Sequence, residues 1–293
     1  MRFTTIFILL IVLTSAAYAQ APVVGHNDPS QYRDAAGAHD GAGTLSYFTL
    51  LGRDLFETNV AFFHRGILQP RSSIGEHNHR GSEEIYFIFD GPAEFTVNGQ
   101  TALLPAPATV LVPLKESHGV YNNSDKPLEW MNIAVSSDER GPSVNYGEDL
   151  TNQRVTSPAP FAWSSLDKTL LIDRPAAHQG KGTVLSRRVW GVDSFKTKWA
   201  FVDHLVLPPD TSIGYHIHEG IEEVYYIMDG TGKMTVDDQT FVVNKGDAIP
   251  NKLGGSHGLY NHSSADIEIV VVACAMEKGV VDATDLGDDL SGR

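Results

Sequence analysis

The stretch HNHRGSEEIYFIFDG, His77 to Gly91, recurs 139 residues later as HIHEGIEEVYYIMDG, His216 to Gly230. In each copy two histidines alternate, a glutamate follows, and an apolar run closes on Asp-Gly. Successive residues of a β-strand point to opposite faces, so residues two apart share one. His77 and His79 therefore share a face, as do His216 and His218. Glu84 begins a run that sets Tyr86 and Ile88 on its own face, with Glu223, Tyr225 and Ile227 as the second copy's equivalents. Glu83 and Glu222 point the other way. A third histidine follows in a matching context, His118 in SHGVYNNS and His257 in SHGLYNHS. Three imidazoles and one carboxylate converging inside β-structure form a donor set for a divalent transition metal. A single H-x-H pair would be weak evidence, because histidines also pack or sit on surfaces. The whole set, duplicated in one register, is strong evidence.

The same 139-residue offset pairs Asp34 with Asp173, His39 with His178, Gly52 with Gly191 and Phe56 with Phe195. It also pairs Ser73-Ile74-Gly75 with Ser212-Ile213-Gly214. The chain is a duplicated domain, and the expected division is residues 1–19 as a leader, 20–150 as domain 1 and 151–293 as domain 2. His39 and His178 repeat without matching a motif, so packing or loop hydrogen bonding is expected of them. His26, His64, His204 and His262 are expected at the surface.

Met1 to Ala19 reads as a secretory signal peptide: Arg2, a short apolar FILLIVL, then Ala17-Tyr18-Ala19 as the cleavage site. The apolar run is far short of the roughly 20 residues that span a bilayer. A secreted or periplasmic protein, with no membrane attachment after cleavage, is the expectation. The formal net charge is −14, and one more negative once Arg2 leaves with the leader. That disfavours nucleic acid and anionic membrane surfaces as partners. The single Cys274 lies in the apolar run IEIVVVACAM, where a buried inert thiol is expected.

Elsewhere short apolar runs such as AFFHRGILQP, AEFTVNGQTALL and LEWMNIAVS alternate with turn signals, without sustained helical periodicity. This spacing points to an antiparallel all-β sandwich or barrel. The arms at residues 20–52 and 151–191 are each expected to lay a strand or two along their own barrel. The polar, Pro-containing segment at 136–160 reads as a linker. The acidic stretch from Met276 onward is expected to be loosely ordered or a short surface helix.

These motifs resemble the two sequence motifs of the cupin superfamily. The first, H-x-H, then a glutamate and a glycine, is matched by His77, His79, Glu84 and Gly91, and by His216, His218, Glu223 and Gly230. The histidine and asparagine of the second are matched by His118 and Asn122, and by His257 and Asn261. Three features depart from the pattern. Arg71 and Asp210 stand where the first motif usually opens on glycine. Lys115 replaces the glycine of P-x-G in copy one. In copy two the approach from Pro250 to His257 is two residues longer.

The resemblance implies two tandem double-stranded β-helix (jelly-roll) barrels. It implies one divalent metal per domain (Mn, Fe, Zn, Ni or Co) held by His77, His79, Glu84 and His118, and by His216, His218, Glu223 and His257. It further implies a small-molecule substrate or ligand, and leaves a homo-oligomer open. The aromatic and apolar neighbours Tyr86, Ile88, Tyr225 and Ile227 favour a metal-dependent oxygenase acting on a small organic molecule. A metal-dependent decarboxylase of the oxalate type or an isomerase is the alternative, and a non-enzymatic ligand- or metal-binding role the third. No catalytic residue beyond the ligands is identified.

Overall fold

A computed structural model describes residues 21–138 and 141–293; the leader at 1–19 lies outside them. Among the described residues the helical elements are single 3-10 turns, and no helix is long and apolar enough to cross a membrane. The rest is two antiparallel jelly-roll barrels, each a pair of facing sheets. In the first barrel, the strands Ala108–Val112, Ser82–Ile88, Leu128–Ser136, Val60–Leu68, Thr44–Leu51 and Arg33–Ala36 lie side by side in that order. The facing sheet carries Ser73–His79, His118–Tyr121, Ala93–Val97 and Gln100–Leu104. The second barrel repeats the plan around Ile221–Asp229 and Ser212–Ile217.

The near-continuous apolar character of EIYFIF has a direct cause: that strand is covered on both faces. Tyr86 and Ile88 join the interior of the first barrel with Phe95, Val110 and Trp130. Ile85 and Phe87 face outward into a core shared by both barrels, with Phe63, Met131, Trp199, Val202, Val224 and Val272. A third cluster fills the second barrel around Tyr225, Ile227, Met234 and Leu259. Each large apolar side chain buried this way contributes about 1.5–3 kcal/mol, so the join between barrels is as much a core as either interior. Cys274 lies in that shared core, and burial pushes its thiol up to about 11.

Two features lock the barrels together in a reciprocal way. The Glu83 carboxylate accepts hydrogen bonds from the backbone N–H groups of Lys196 (2.7 Å) and Thr197 (2.5 Å). The Glu222 carboxylate accepts from the N–H groups of Glu57 (3.0 Å) and Thr58 (2.9 Å) and from the Thr58 hydroxyl (2.6 Å). Both glutamates are almost fully buried.

The arms also cross over. Gly25–His26 adds to the second barrel beside Asp247–Asn251, with Gly25 opposite Ala248. Trp163–Ser165 adds to the first barrel beside Ala108–Val112, with Ser164 opposite Thr109. The expectation that each arm lies on its own barrel therefore holds for Arg33–Ala36 and Thr44–Leu51, and for Ile172–Pro175 and Thr183–Trp190, but not for the leading strands. The leading strand of each arm satisfies its backbone groups on the other barrel's sheet edge, which would otherwise stay unpaired.

Two further expectations are corrected. The segment between copies is not a free linker, because Ser143–Asn145 pairs with Ser73–His79 and Val155–Thr156 pairs with Gln100–Leu104. The acidic C-terminal stretch is neither loose nor helical. Thr284–Asp285 pairs with Ser212–Ile217, and Leu290 is 1% exposed. The cause is visible in Gly147-Glu148-Asp149-Leu150 and Gly287-Asp288-Asp289-Leu290, a continuation of the repeat with one residue inserted. In both copies the aspartate carbonyl accepts from a serine at the start of the His-bearing strand, Ser73 to Asp149 and Ser212 to Asp289.

Candidate metal centre

The histidines and the glutamate of each set come from facing sheets. Ser73–His79 and His118–Tyr121 are hydrogen-bonded neighbours with His77 directly opposite His118; Glu84 reaches in from Ser82–Ile88 in the other sheet. In the second barrel His216 lies opposite His257, and Glu223 reaches in from Ile221–Asp229. The candidate donors thus meet inside the barrel, as the strand alternation requires. His77, Glu84, His118, His216 and His257 are each about 1% exposed, and His218 and Glu223 4%.

The donor atoms of His216, His218, Glu223 and His257 all lie within 4.8 Å of one another. His257 Nε2 is 2.9 Å and His218 Nε2 3.4 Å from Glu223 Oε2. The first barrel is looser. Its donors form two overlapping triads, His79 with Glu84 and His118, and His39 with His77 and His79. His77 Nε2 is 3.1 Å from His79 Nε2, and His79 Nε2 is 3.1 Å from Glu84 Oε1.

The far side of several rings is tied down. His77 Nδ1 donates to the Gly75 carbonyl (2.9 Å), and His216 Nδ1 to the Gly214 carbonyl (2.8 Å). His218 Nδ1 donates to the Asp282 carbonyl, and His79 Nδ1 shares a hydrogen bond with the Ser143 hydroxyl (2.8 Å). A ring held this way turns its Nε2 lone pair inward. Inward lone pairs in close contact repel unless a cation lies between them. Glu84 Oε1, His118 Nε2 and His218 Nε2 are also buried without a hydrogen-bond partner, a costly state that coordination would relieve. The residues present therefore fit a divalent metal ion in each barrel.

The electrostatics agree. Burial, reinforced by neighbouring imidazoles, pushes His77 and His216 down to about 2. Burial would raise Glu84, but His118 and His79 outweigh it and pull the carboxyl down to about 2. Glu223 is likewise held well below the usual range, where His218 and His257 outweigh burial. His77 and His216 are thus held neutral and Glu84 and Glu223 ionised, whereas at His218 the Glu223 carboxylate outweighs burial and raises the ring above the ordinary imidazole range, so its proton must leave when it ligates.

Burial also changes the expected acid response. In the unfolded chain His77 and His216 take up protons from about pH 6.5, but in the metal-free fold only near 2. The unfolded state therefore binds more protons throughout that window. Stability is fully present above pH 6.5 and is lost as pH falls toward 2, by about 1.4 kcal/mol per pH unit for each such ring. Chelator-treated protein should melt at steadily lower temperature from pH 7 to 5. A flat melting temperature over that range would show that the buried rings accept protons within the fold.

The glycine departures have a backbone explanation. Arg71, Asp210 and Lys115 all take positive φ (57°, 61° and 73°), the left-handed conformation that glycine adopts freely and other residues at a cost of about 1–2 kcal/mol. Gly254 (φ 67°) occupies the Lys115 place in copy two. Glu84-to-His118 and Glu223-to-His257 are the same length, so nothing is inserted in copy two; Pro250 stands two positions earlier in the register than Pro113, whose counterpart is Lys252. Gly75 and Gly214 serve a different need. A Cβ on Gly75 would stand 2.2 Å from the His39 carbonyl, and one on Gly214 2.1 Å from that of His178.

That close approach seats two residues that the motifs do not contain. His39 stacks flat on His77 (centroids 3.6 Å, 3°) and His178 on His216 (3.8 Å, 7°). Both hold left-handed backbone conformations, with φ of 53° and 51°. His39 Nδ1 is bonded to Asn145 (3.0 Å) and His178 Nδ1 to Asp285 (2.8 Å). They cover the site, so packing and loop hydrogen bonding both describe them. His64 and His204 are not surface residues. His204 is fully buried against Glu268 (2.8 Å), and His64 stacks on Phe62 and lines the first cavity. Asn122 and Asn261 are buried, bridging loop carbonyls such as Lys126 and Ala265.

Each site opens into a cavity, and the two differ. The second holds about 130 Å³ beside Glu223 and Tyr225, with Arg174, Arg188 and Asp203 in its walls. Arg188 makes a two-pronged ion pair with Asp203 (2.9 Å each) and lies over Phe201. The Arg174 side chain is exposed and makes no hydrogen bond or ion pair among the described residues. The first holds about 260 Å³, with Tyr47, Phe62, His64 and Trp130 in its walls. Tyr86 and Tyr225 line the cavities as expected, whereas Ile88 and Ile227 are core residues. The arginines escaped the motif reading; the signal for them was a charge present in one copy and absent from the other at the same register.

Comparison with known proteins agrees with this architecture. The profile of the Cupin domain family matches residues 64–134 and 203–273. An oxalate-binding protein of Thermotoga maritima is 31% identical over 95 residues, which are 32% of this chain and 78% of that protein. An uncharacterized protein of Methanocaldococcus jannaschii is 34% identical over 65 residues, 22% of this chain and 52% of that protein. Among solved structures, the oxalate decarboxylase of Bacillus subtilis, an enzyme with Mn(II) centres, superimposes with a TM-score of 0.64 at 14% identity. That match covers 92% of this chain and 81% of that one, and shows a common fold. With the family profile on both repeats at the same register, the chain belongs to the cupin family and carries two cupin domains in tandem.

Proposed function

We propose that this chain is a metal-dependent cupin whose second barrel binds a small dicarboxylate of the oxalate type next to the ion held by His216, His218, Glu223 and His257. The observation that carries this reading is the unpaired Arg174 and the paired Arg188 in a cavity of about 130 Å³. That volume is close to the roughly 150 Å³ that holds a benzene, which suits a very small ligand. Guanidinium groups match carboxylate geometry, and the ion supplies an electrophilic anchor for one ligand oxygen when bound. The Thermotoga relative and the Bacillus fold neighbour are named for oxalate, which supports the same class. The oxygenase reading rested on an aromatic or apolar substrate, whereas this cavity adds two arginines and an aspartate to its wall.

Decarboxylation is the reaction that this site supports best. The C–C bond of mono-protonated oxalate breaks, carbon dioxide leaves, and a proton is delivered to the remaining carbon to give formate. Asp203 is the carboxyl lining this cavity besides Glu223 among the described residues. Burial raises it above the ordinary carboxylate range against the opposing pull of Arg188, which favours a group able to carry a proton. We also propose export with cleavage after Ala19, which N-terminal sequencing of the mature protein would check.

The test is calorimetric titration of the metal-loaded protein with oxalate, alongside assay of formate. Arg174→Gln should weaken oxalate binding about tenfold or more, the loss expected for a charge-assisted hydrogen bond, while metal content stays the same. Asp203→Asn should retain metal and lose formate production. Oxalate affinity unchanged in Arg174→Gln would sink the dicarboxylate assignment. Binding without formate would leave a binding protein, the second reading that the Thermotoga relative supports.

A further inference from the structure

The two cavities are built on the same positions of the repeat, so each wall residue of one has a counterpart in the other. Where the second barrel has Arg174, Arg188 and Asp203, the first has Ala35, Thr49 and His64. Where the second has Ser186 and Ile269, the first has Tyr47 and Trp130. The exchange removes every arginine and adds two aromatic rings. No lysine, arginine, aspartate or glutamate lines the first cavity, and its volume is twice that of the second.

The space is constructed by the backbone. Gly66 stands at the position of Leu205, and a Cβ there would lie 2.7 Å from the Tyr47 Cβ and 2.9 Å from Trp130 Cζ2. Glycine at 66 is what allows both rings to sit on this wall. Two polar atoms of wall residues are also left over. The Trp130 indole N–H and the Asn132 amide oxygen are buried with no hydrogen-bond partner. The Asn132 amide nitrogen donates to Glu84 (3.0 Å), which fixes the oxygen as the spare group. Val271 takes its place in copy two. A buried donor and a buried acceptor without partners are each costly, and both belong to side chains that line the aromatic cavity, so a small rotation would present them to a ligand.

We propose that the first barrel binds a neutral phenol of one or two rings, a different ligand class from the dicarboxylate of the second. Its hydroxyl accepts from the Trp130 N–H and donates to the Asn132 oxygen, and its ring lies among Tyr47, Phe62 and Trp130. Aromatic pairs favour offset or edge-to-face contact at 4.5–7 Å between centroids, and a cavity of about 260 Å³ exceeds the roughly 150 Å³ that a single benzene fills. No side chain in this wall carries a charge that would compensate a carboxylate; the metal ion bordering it would, so the two ligand classes are told apart with the ion removed.

The experiment is calorimetric titration of the full chain, metal-loaded and chelator-treated, with 2-naphthol and naphthalene, and of the chelator-treated chain with 2-naphthoate. 2-Naphthol should bind once per chain and at least tenfold more tightly than either of the others. Gly66→Leu, which rebuilds the wall of the second barrel, should abolish that binding. Trp130→Ile, a milder change, should weaken it about tenfold through loss of one ring contact and one hydrogen bond. Arg174→Gln should leave it unchanged, so this result is independent of whether oxalate binds the second barrel. Equal affinity for 2-naphthoate, or 2-naphthol binding that survives both Gly66→Leu and Trp130→Ile, would overturn the proposal.

Discussion

His216→Ala is expected to release one metal ion and leave the other. The second barrel then keeps three donors out of four. Sites of four protein ligands bind structural zinc with about 10–16 kcal/mol, so losing one ligand of four costs roughly 3 kcal/mol, a weakening of more than about 100-fold. His77, His79, Glu84 and His118 belong to a separate barrel with its own interior, and their ion should remain. Elemental analysis after dialysis should therefore fall from two ions per chain to one, with formate production lost. His77→Ala should also leave one ion, but with formate production retained, because the arginines and the single tight donor set belong to the second barrel. Loss of both ions in either variant would mean that the two sites do not fill independently.

Glu83→Ala and Glu222→Ala should be the most destabilising substitutions outside the donor sets. Each removes a buried carboxylate that receives hydrogen bonds from two backbone N–H groups of the other barrel. Those donors are then left in a water-excluded join with no acceptor. A hydrogen bond to a charged group contributes about 1.5–3 kcal/mol, and a buried donor left unpaired costs about 1–3 kcal/mol. The expected loss is about 3–5 kcal/mol, read as the denaturant midpoint at constant slope. Glutamine should recover little at Glu222, whose two oxygens accept from different N–H groups, and more at Glu83, where Oε2 accepts from both. A shift of less than about 1 kcal/mol in either alanine variant would show that water enters the join.

The sequence carried the donor sets almost whole, and the reason is periodicity. Alternation set His77 and His79 on one face and Glu83 and Glu84 on opposite ones, the motif's spacing to Gly91 chose Glu84, and a constant register related His118 to His257 without knowledge of the strands between. What alternation cannot show is the partner across a sheet edge. Gly25–His26 lies in a Gly- and polar-rich arm whose partner Asp247–Asn251 is more than two hundred residues away, and nothing local distinguishes that edge from the near one. The opposite faces of Glu83 and Glu222 were legible, but not that another barrel would meet them. The C-terminal stretch was misread because composition was weighed and the repeat was followed only at a fixed offset; Gly287 to Leu290 continues it one residue late. Arg174 and Arg188 belong to no motif. They become visible only when the two copies are compared for what differs.

Gly25 meets Ala248 as Ser164 meets Thr109, and Glu83 meets Lys196 and Thr197 as Glu222 meets Glu57 and Thr58. Each contact has its mirror at the same register, which is the signature of an isologous, two-fold interface with swapped edge strands. The chain has the form of a homodimer joined into one polypeptide. Covalent linkage removes the translational and rotational cost that two separate subunits would pay to associate. It also frees the two halves to diverge, since a substitution such as Arg188 for Thr49 now falls in one site without its twin. Half of the molecule made alone would lack one sheet-edge strand and expose the apolar face around Ile85, Phe87 and Met131, or Trp199 and Val224. Any assembly of whole chains must be built from other faces, because the two-fold surface is already spent.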